Sequence, residues 1–288
     1  MSLEVVRAWA LTTVQDLGRP GYAHLGVPRS GALDAPALRR ANALVGNPPS
    51  AAGLETTLLG CSFRLPAGGV IAVTGAPARI TVAGAAAAFD VAVSVAAGAL
   101  VEIGRATAGV RSYVAVAGGV AVPPVLGSRS TDTLSGLGPP RLRDGVVLPV
   151  GPSQPIEPHG IPEGSGAGAA GRVPAEVTLA VRLGPRDGWF TAAAVETLLT
   201  TAYTVSPNSN RVGARLAGAA LTRADAGELP SEGVVLGAVQ VPADGQPLVF
   251  LADHPTTGGY PVIAVVTDVT ALAQARPGST VRFHGPER

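Results

Sequence analysis

The densest cluster of residues able to do chemistry is Asp253, His254, Thr256, Thr257, Gly258, Gly259 and Tyr260, within LADHPTTGGYP. An acid beside an imidazole can move a proton, and hydroxyls and a phenol can hold polar substrate groups. Two adjacent glycines let a turn aim several backbone N–H groups at one point, as anion-holding turns do. Gly259 is expected in left-handed backbone. A barrel corner would use the same threonines to satisfy its own turn, so both readings stand.

Three further loops carry charge. QDLGRPG and VPRSGALD place Asp16, Arg19, Arg29 and Ser30 close in sequence and are expected to leave them unburied. Asp16 beside Arg19 is either a structural ion pair or an acid next to a substrate-holding cation. Arg129 lies among hydroxyls in LGSRSTD, and Arg211 ends the polar turn SPNSNR. A substrate with an acidic amide needs a cation, donors for a developing oxyanion and a proton for the leaving nitrogen. Arg19, Arg129 or Arg211 are candidates for the first, the amides near Thr257–Gly259 for the second, and Asp253 or His254 for the third.

Other signals are negative. There is no Ser-His-Asp spacing, no G-x-S-x-G and no metal ligand set; His24, His254 and His284 sit in different segments. Residues 166–171 match G-x-G-x-x-G but follow a proline-rich loop and precede Pro174, whereas a dinucleotide fingerprint needs a strand before and a helix after. His159 lies in the same stretch and is expected to be solvated. Cys61, in the strand-like LLGCSFRL, is expected to pack as a small apolar residue. A self-contained hydrolase is therefore not expected.

The elements positioning these residues are mostly strands. Two apolar runs, Gly237–Val241 and Pro247–Ala252, flank Ala243-Asp244-Gly245, a hairpin signal. From Leu54 to Leu148, short apolar runs alternate with glycine turns. A small or polar residue, Gly and then an alternating strand recur at Gly98, Gly145 and Gly278. The start, Leu3–Val14, reads as one strand. Helices are expected at Asp34–Gly46, Trp189–Thr200 and Asp268–Ala275, from cap residues and apolar stripes. The fold expected is mainly β, two β-barrel-like domains with a few short helices. The domains are residues 1–150 and 176–288, joined by a Gly/Pro-rich linker at 151–175.

Composition narrows the classes. The chain has 288 residues, net charge +1, 38 glycines, 26 prolines and 4% aromatics. A charge so near zero gives no field for nucleic acid or an anionic membrane. All 21 basic side chains are arginine, which excludes Schiff-base chemistry, a Walker-A lysine and biotin attachment on this chain. Arg suits planar, bidentate contacts with carboxylates. One cysteine excludes an internal disulfide. Glu4 and Arg7 interrupt the apolar start, and no uncharged apolar run reaches about 18 residues; a cytoplasmic protein is expected.

TVQDLGRPGYAHLGVPRSGALD, GSRSTD, SEGV…GAVQVPADGQP and DHPTTGGYP, in this order, resemble the family of 5-oxoprolinase C-type subunits. It is also named allophanate hydrolase subunit 2 or biotin-dependent carboxyltransferase-like, and includes the KipA antagonist of a sporulation-kinase inhibitor. The likeness covers nearly the whole chain outside the linker. It implies cyclophilin-like β-barrel architecture and a B-type (allophanate hydrolase subunit 1-like) partner. With an A-type third subunit, that complex would open 5-oxoproline to L-glutamate using ATP, with no cofactor intrinsic to this chain. The resemblance adds Glu232 and Gln240 to the substrate-binding candidates. Urea carboxylation, allophanate hydrolysis and non-catalytic binding of a kinase-inhibitor-like partner are its alternatives. SPNSNRVGARL departs from the commoner SDRMGYRL, with Asn210 for an acid and Ala214 for an aromatic, while Arg211 is retained.

Overall fold

A computed structural model describes residues 1–153, 176–224, 227 and 229–285. The expected linker falls mostly outside the described residues, as do the G-x-G-x-x-G match and His159. The chain is mainly β and divides into two compact units.

The first unit comprises Met1–Arg19, Ser30–Asp132 and the described residues from Gly136 to 153. It holds a six-stranded sheet and a five-stranded sheet. The six run in the order Val147–Pro149, Ser2–Arg7, Cys61–Arg64, Leu100–Ala106, Ala78–Val82 and Ala85–Ala87. The five run Thr12–Gln15, Gly53–Thr57, Arg111–Val116, Gly69–Gly75 and Ala92–Val95. Alternate side chains of both sheets, among them Leu3, Phe63, Val101, Ile71 and Val114, meet in one buried core. Period-2 alternation sends these residues to one face of each strand. Cys61 is buried in that core, and burial pushes its thiol up to about 12.

The expected single strand Leu3–Val14 is two strands, Ser2–Arg7 and Thr12–Gln15, one in each sheet. The break is at Trp9, whose φ of 53° no strand tolerates. The helix Ala35–Leu44 starts as expected: Asp34 accepts from the N–H of Ala37 at 3.0 Å, with Pro36 in the first turn. Behind this start, Tyr113 Oη donates to Glu55 Oε2 at 2.7 Å and accepts the Asp34 N–H at 2.8 Å. Burial, then the Glu55 and Asp34 carboxylates, push the Tyr113 phenol well above its ordinary range. It therefore stays protonated and keeps donating.

The second unit comprises Pro20–Arg29, Thr133–Ser135 and the described residues from 176 onward. Seven strands close a barrel, in the order Glu176–Leu183, Val262–Val266, Ala238–Gln240, Leu248–Phe250, Gly213–Ala217, Ala202–Val205 and Thr280–His284. The last returns to the first as a parallel pair, Val177 opposite Val281, so the barrel has no open edge. The expected hairpin forms, Val239 facing Val249 across a turn in which Gly245 has φ 73°. The other helices are Ala192–Thr200, capped by Thr191, and Thr270–Ala273, a turn shorter than expected. No helix among the described residues is long and apolar enough to cross a membrane.

Candidate functional site

In the second unit the sequence brings an acid and a cation together across 42 positions. Arg211 donates to Asp253 twice, Nε to Oδ2 and Nη2 to Oδ1, each at 2.9 Å. Both side chains are fully buried. Asn210 sets the Arg211 backbone: its Oδ1 accepts the N–H groups of Val212 and Gly213 at 2.8 and 3.2 Å. Thr133 adds two donors to Asp253 Oδ2, its N–H at 2.9 Å and its hydroxyl at 2.7 Å. Burial alone would push the Asp253 carboxyl up. The Arg211 charge and bonds, with both Thr133 donors, outweigh it and hold the group below the usual carboxylate range.

This geometry changes what Asp253 can do. Its oxygens are committed to four donors, and a carboxylate with lowered proton affinity makes a poor base at neutral pH. Its neighbour His254 is buried, with Nδ1 2.6 Å from the Pro255 carbonyl oxygen. A carbonyl only accepts, so Nδ1 carries a proton in this contact.

The glycine pair is arranged differently from the expectation. Thr257–Gly258 pairs with Glu232–Gly233 as a two-stranded ribbon, Glu232 opposite Gly258. Gln240 Nε2 donates to the Tyr260 carbonyl at 2.9 Å, and a Cβ on Gly258 would collide with that amide. Gly258 is thus the glycine at which a Cβ would force Gln240 to move. Gly259 is not left-handed, and a Cβ there would meet only the Leu229 carbonyl oxygen, at 3.9 Å; the expectation of a strained Gly259 is corrected. Glu232 pairs with Arg186 at 2.8 Å, and Arg223 lies 5.6 Å over the half-exposed Tyr260 ring. Thr256 contributes its carbonyl to the Val234 N–H at 3.0 Å. Glu232, Gln240, Gly258 and Tyr260 therefore form one ribbon-and-strand group, of which Gly258 and Tyr260 follow closely on Asp253 and His254 in the chain.

Asp16, Arg19, Ser30 and Arg129 belong to the first unit. The loops do not leave them exposed: Asp16, Arg19 and Ser30 are all buried, and only Arg29 of that group is exposed. Asp16 Oδ1 accepts the hydroxyls of Ser128 and Ser130, each at 2.6 Å, and Oδ2 accepts the Arg129 N–H at 2.6 Å. Arg19 donates to the carbonyls of Val125 and Ser130. The Arg129 side chain turns to the Val122 carbonyl, its Nε at 2.8 Å. Ser30 holds the Thr131 carbonyl at 3.1 Å from a left-handed backbone, φ 50°, an outlier of the kind concentrated at functional loops. The carboxylate thus anchors LGSRSTD through hydroxyls and amides.

Sequence reasoning missed Thr133, Arg186 and Ser128. Only the last had a signal, as a hydroxyl flanking Arg129. Among the described residues no three or more His, Cys, Asp or Glu are placed to hold a metal.

Comparison with known proteins follows the same outline. The family described as carboxyltransferase domain, subdomain A and B, matches residues 25–285. The chain is 39% identical to the 5-oxoprolinase C-type subunit of Escherichia coli, over 98% of its own length and 90% of that protein's. It is 33% identical to urea amidolyase of Saccharomyces cerevisiae, again over 98% of its length but only 16% of that protein's. Among solved structures, the Kluyveromyces lactis urea carboxylase superposes with a TM-score of 0.90 at 30% identity, covering 98% of this chain and 27% of that one.

Proposed function

This chain belongs to the carboxyltransferase domain family, subdomains A and B, and on that premise we propose that it is the C-type component of an ATP-dependent 5-oxoprolinase. The complex would open 5-oxoproline to L-glutamate with a B-type subunit and an A-type third subunit, in the cytoplasm. The observation carrying this reading is the match of length as well as sequence: 90% of the E. coli 5-oxoprolinase component is covered, against 16% of the yeast urea amidolyase.

In this reading the buried Arg211–Asp253 pair fixes the loop that carries His254 and the residues after it. His254 exchanges the proton of the ring nitrogen. Glu232, Gln240, Thr256, Thr257, Gly258, Gly259 and Tyr260 are the substrate-binding candidates of the second unit; Asp16, Arg19, Ser30 and Arg129, candidates of the first, anchor and flank the loop LGSRSTD. We place ATP binding on another subunit. This is supported by the two longer helices, which begin at the side-chain caps Asp34 and Thr191 rather than at a glycine-rich phosphate loop. A second reading, carboxyl transfer to urea-type amides, is favoured by the superposition on urea carboxylase. It requires biotin carried on another chain, since this one has no lysine.

The test is co-purification with both partner subunits, followed by glutamate release from 5-oxoproline with ATP. Turnover is expected only from the full complex, and His254→Gln should slow the assembled complex by roughly 10²–10⁴. Turnover by this chain alone, or release from allophanate or urea in place of 5-oxoproline, would overturn the assignment.

A further inference from the structure

We propose that the outer face of the six-stranded sheet in the first unit binds a free α-amino acid with an apolar side chain. A cleft of 790 Å³ lies there, bordered by Arg7, Trp9, Leu59, Ser62, Leu100 and Glu102 among others. None of these residues belongs to the candidate site.

Three observations point to a built site. The first is strain. Trp9 is 50% exposed and left-handed, with φ 53°, and Leu58, next to Leu59 of the lining, has φ 59°. Bulky residues adopt this backbone only when their surroundings impose it. Here Asp144 Oδ1 accepts the Ala8 N–H at 2.9 Å, and the buried Thr12 hydroxyl donates to the Ala8 carbonyl at 2.7 Å. Together they pin the turn that presents the indole.

The second is a re-aimed cation. The register of Ser2–Arg7 against Cys61–Arg64 shifts between Val5 and Arg7, and such bulges redirect a side chain. Arg7 lies over the Trp9 ring, 4.7 Å from its centroid. Stacking orients a guanidinium while leaving its in-plane N–H edge able to grip a carboxylate.

The third is charge placement. Arg7, Ser62 and Glu102 occupy successive rungs across three strands. Neighbouring strands are about 4.8 Å apart, so the cation and the anion start about 10 Å from each other with a small hydroxyl between them. Glu102 is steadied by the Thr81 hydroxyl at 3.0 Å. A positive and a negative group facing across a small residue suit a molecule carrying both charges close together. Leu59, Leu100 and the open indole face would take its side chain.

The experiment uses the full chain with Trp189→Phe, which leaves Trp9 as the one fluorophore of its kind. L-Phenylalanine is titrated and read by fluorescence and by calorimetry. 3-Phenylpropanoate, lacking the ammonium, and 2-phenylethylamine, lacking the carboxylate, are the controls. Saturable binding of L-phenylalanine is expected, with each control weaker by roughly tenfold or more. Glu102→Gln and Arg7→Gln should each weaken L-phenylalanine by a similar factor without altering the circular dichroism. No saturable signal in either method overturns the proposal. So does equal binding of all three compounds, or binding unchanged in Glu102→Gln, whose exposed position lets it fold.

Discussion

Asp253 and Arg211 bury opposite charges against each other, so removing the carboxylate leaves a guanidinium without that counter-charge. Such a loss costs about 3–5 kcal/mol, more than the one missed hydrogen bond of a barrel corner. Asp253→Asn should therefore lower the unfolding free energy of the second unit by that amount at pH 7, read by urea denaturation. The sign of the pH dependence follows from the lowered folded-state pKa. The carboxylate's contribution is complete above its unfolded value, about 3.9, and is lost as pH falls through the lower folded value. The gap between wild type and Asp253→Asn should be constant at neutral pH and narrow as pH falls below the unfolded value of about 3.9; a gap that stays constant in acid would contradict the ion-pair account. Gly259→Ala should be neutral within about 0.5 kcal/mol. Gly258→Ala should displace Gln240 from the Tyr260 carbonyl and cost about 1–3 kcal/mol, so equal effects in the two variants would overturn the ribbon geometry. The residue types of this loop were legible in the sequence. Which glycine is confined was not, because that depends on Gln240 arriving from another strand. Thr133 was invisible for the same reason, standing 120 residues from the carboxylate it serves.

At the scale of elements, local signals succeeded where local physics decides. Asp34 with Pro36 starts its helix as expected, and the Asp-Gly turn closes its hairpin; the cap Thr191 was not anticipated, and its helix begins at Ala192 rather than Trp189. Where pairing partners decide, they failed: nothing within Leu3–Val14 says that its two ends enter different sheets. The barrel is the plainest case, since its closure joins Glu176–Leu183 to Thr280–His284, a pairing no nearby residue announces. Phe283 on that closing strand is buried and meets Tyr203 edge-on, with ring centroids 6.0 Å apart. Phe283→Ala should cost about 3–5 kcal/mol, in chemical denaturation followed by the near-ultraviolet signal of the second unit. A loss below about 1 kcal/mol would mean that the strand does not seal the barrel.

For the whole molecule, the boundary was read from composition, yet the chain visits the second unit twice before residue 150, at Pro20–Arg29 and Thr133–Ser135. Short visits of this kind carry no composition of their own and leave no mark in the sequence. Each unit nonetheless gathers separate buried apolar residues, so each has its own reason to fold. Cys61 offers a probe of one unit alone. It is 1% exposed, shares a core with Phe63, and its thiol is pushed up to about 12. At pH 8 the native thiol is therefore protonated and covered, and a thiol reagent can label it only through opening of the first unit. Labelling should be slow in the native protein and immediate in denaturant. Phe63→Ala, which empties part of the same core, should raise the native rate by roughly 10²–10⁴, following about 3–5 kcal/mol of lost stability where opening is the limiting equilibrium. Phe283→Ala should leave the rate unchanged. If it accelerates labelling as much as Phe63→Ala does, the two cores open as one cooperative structure. If the native thiol labels at once, its place in the core is wrong.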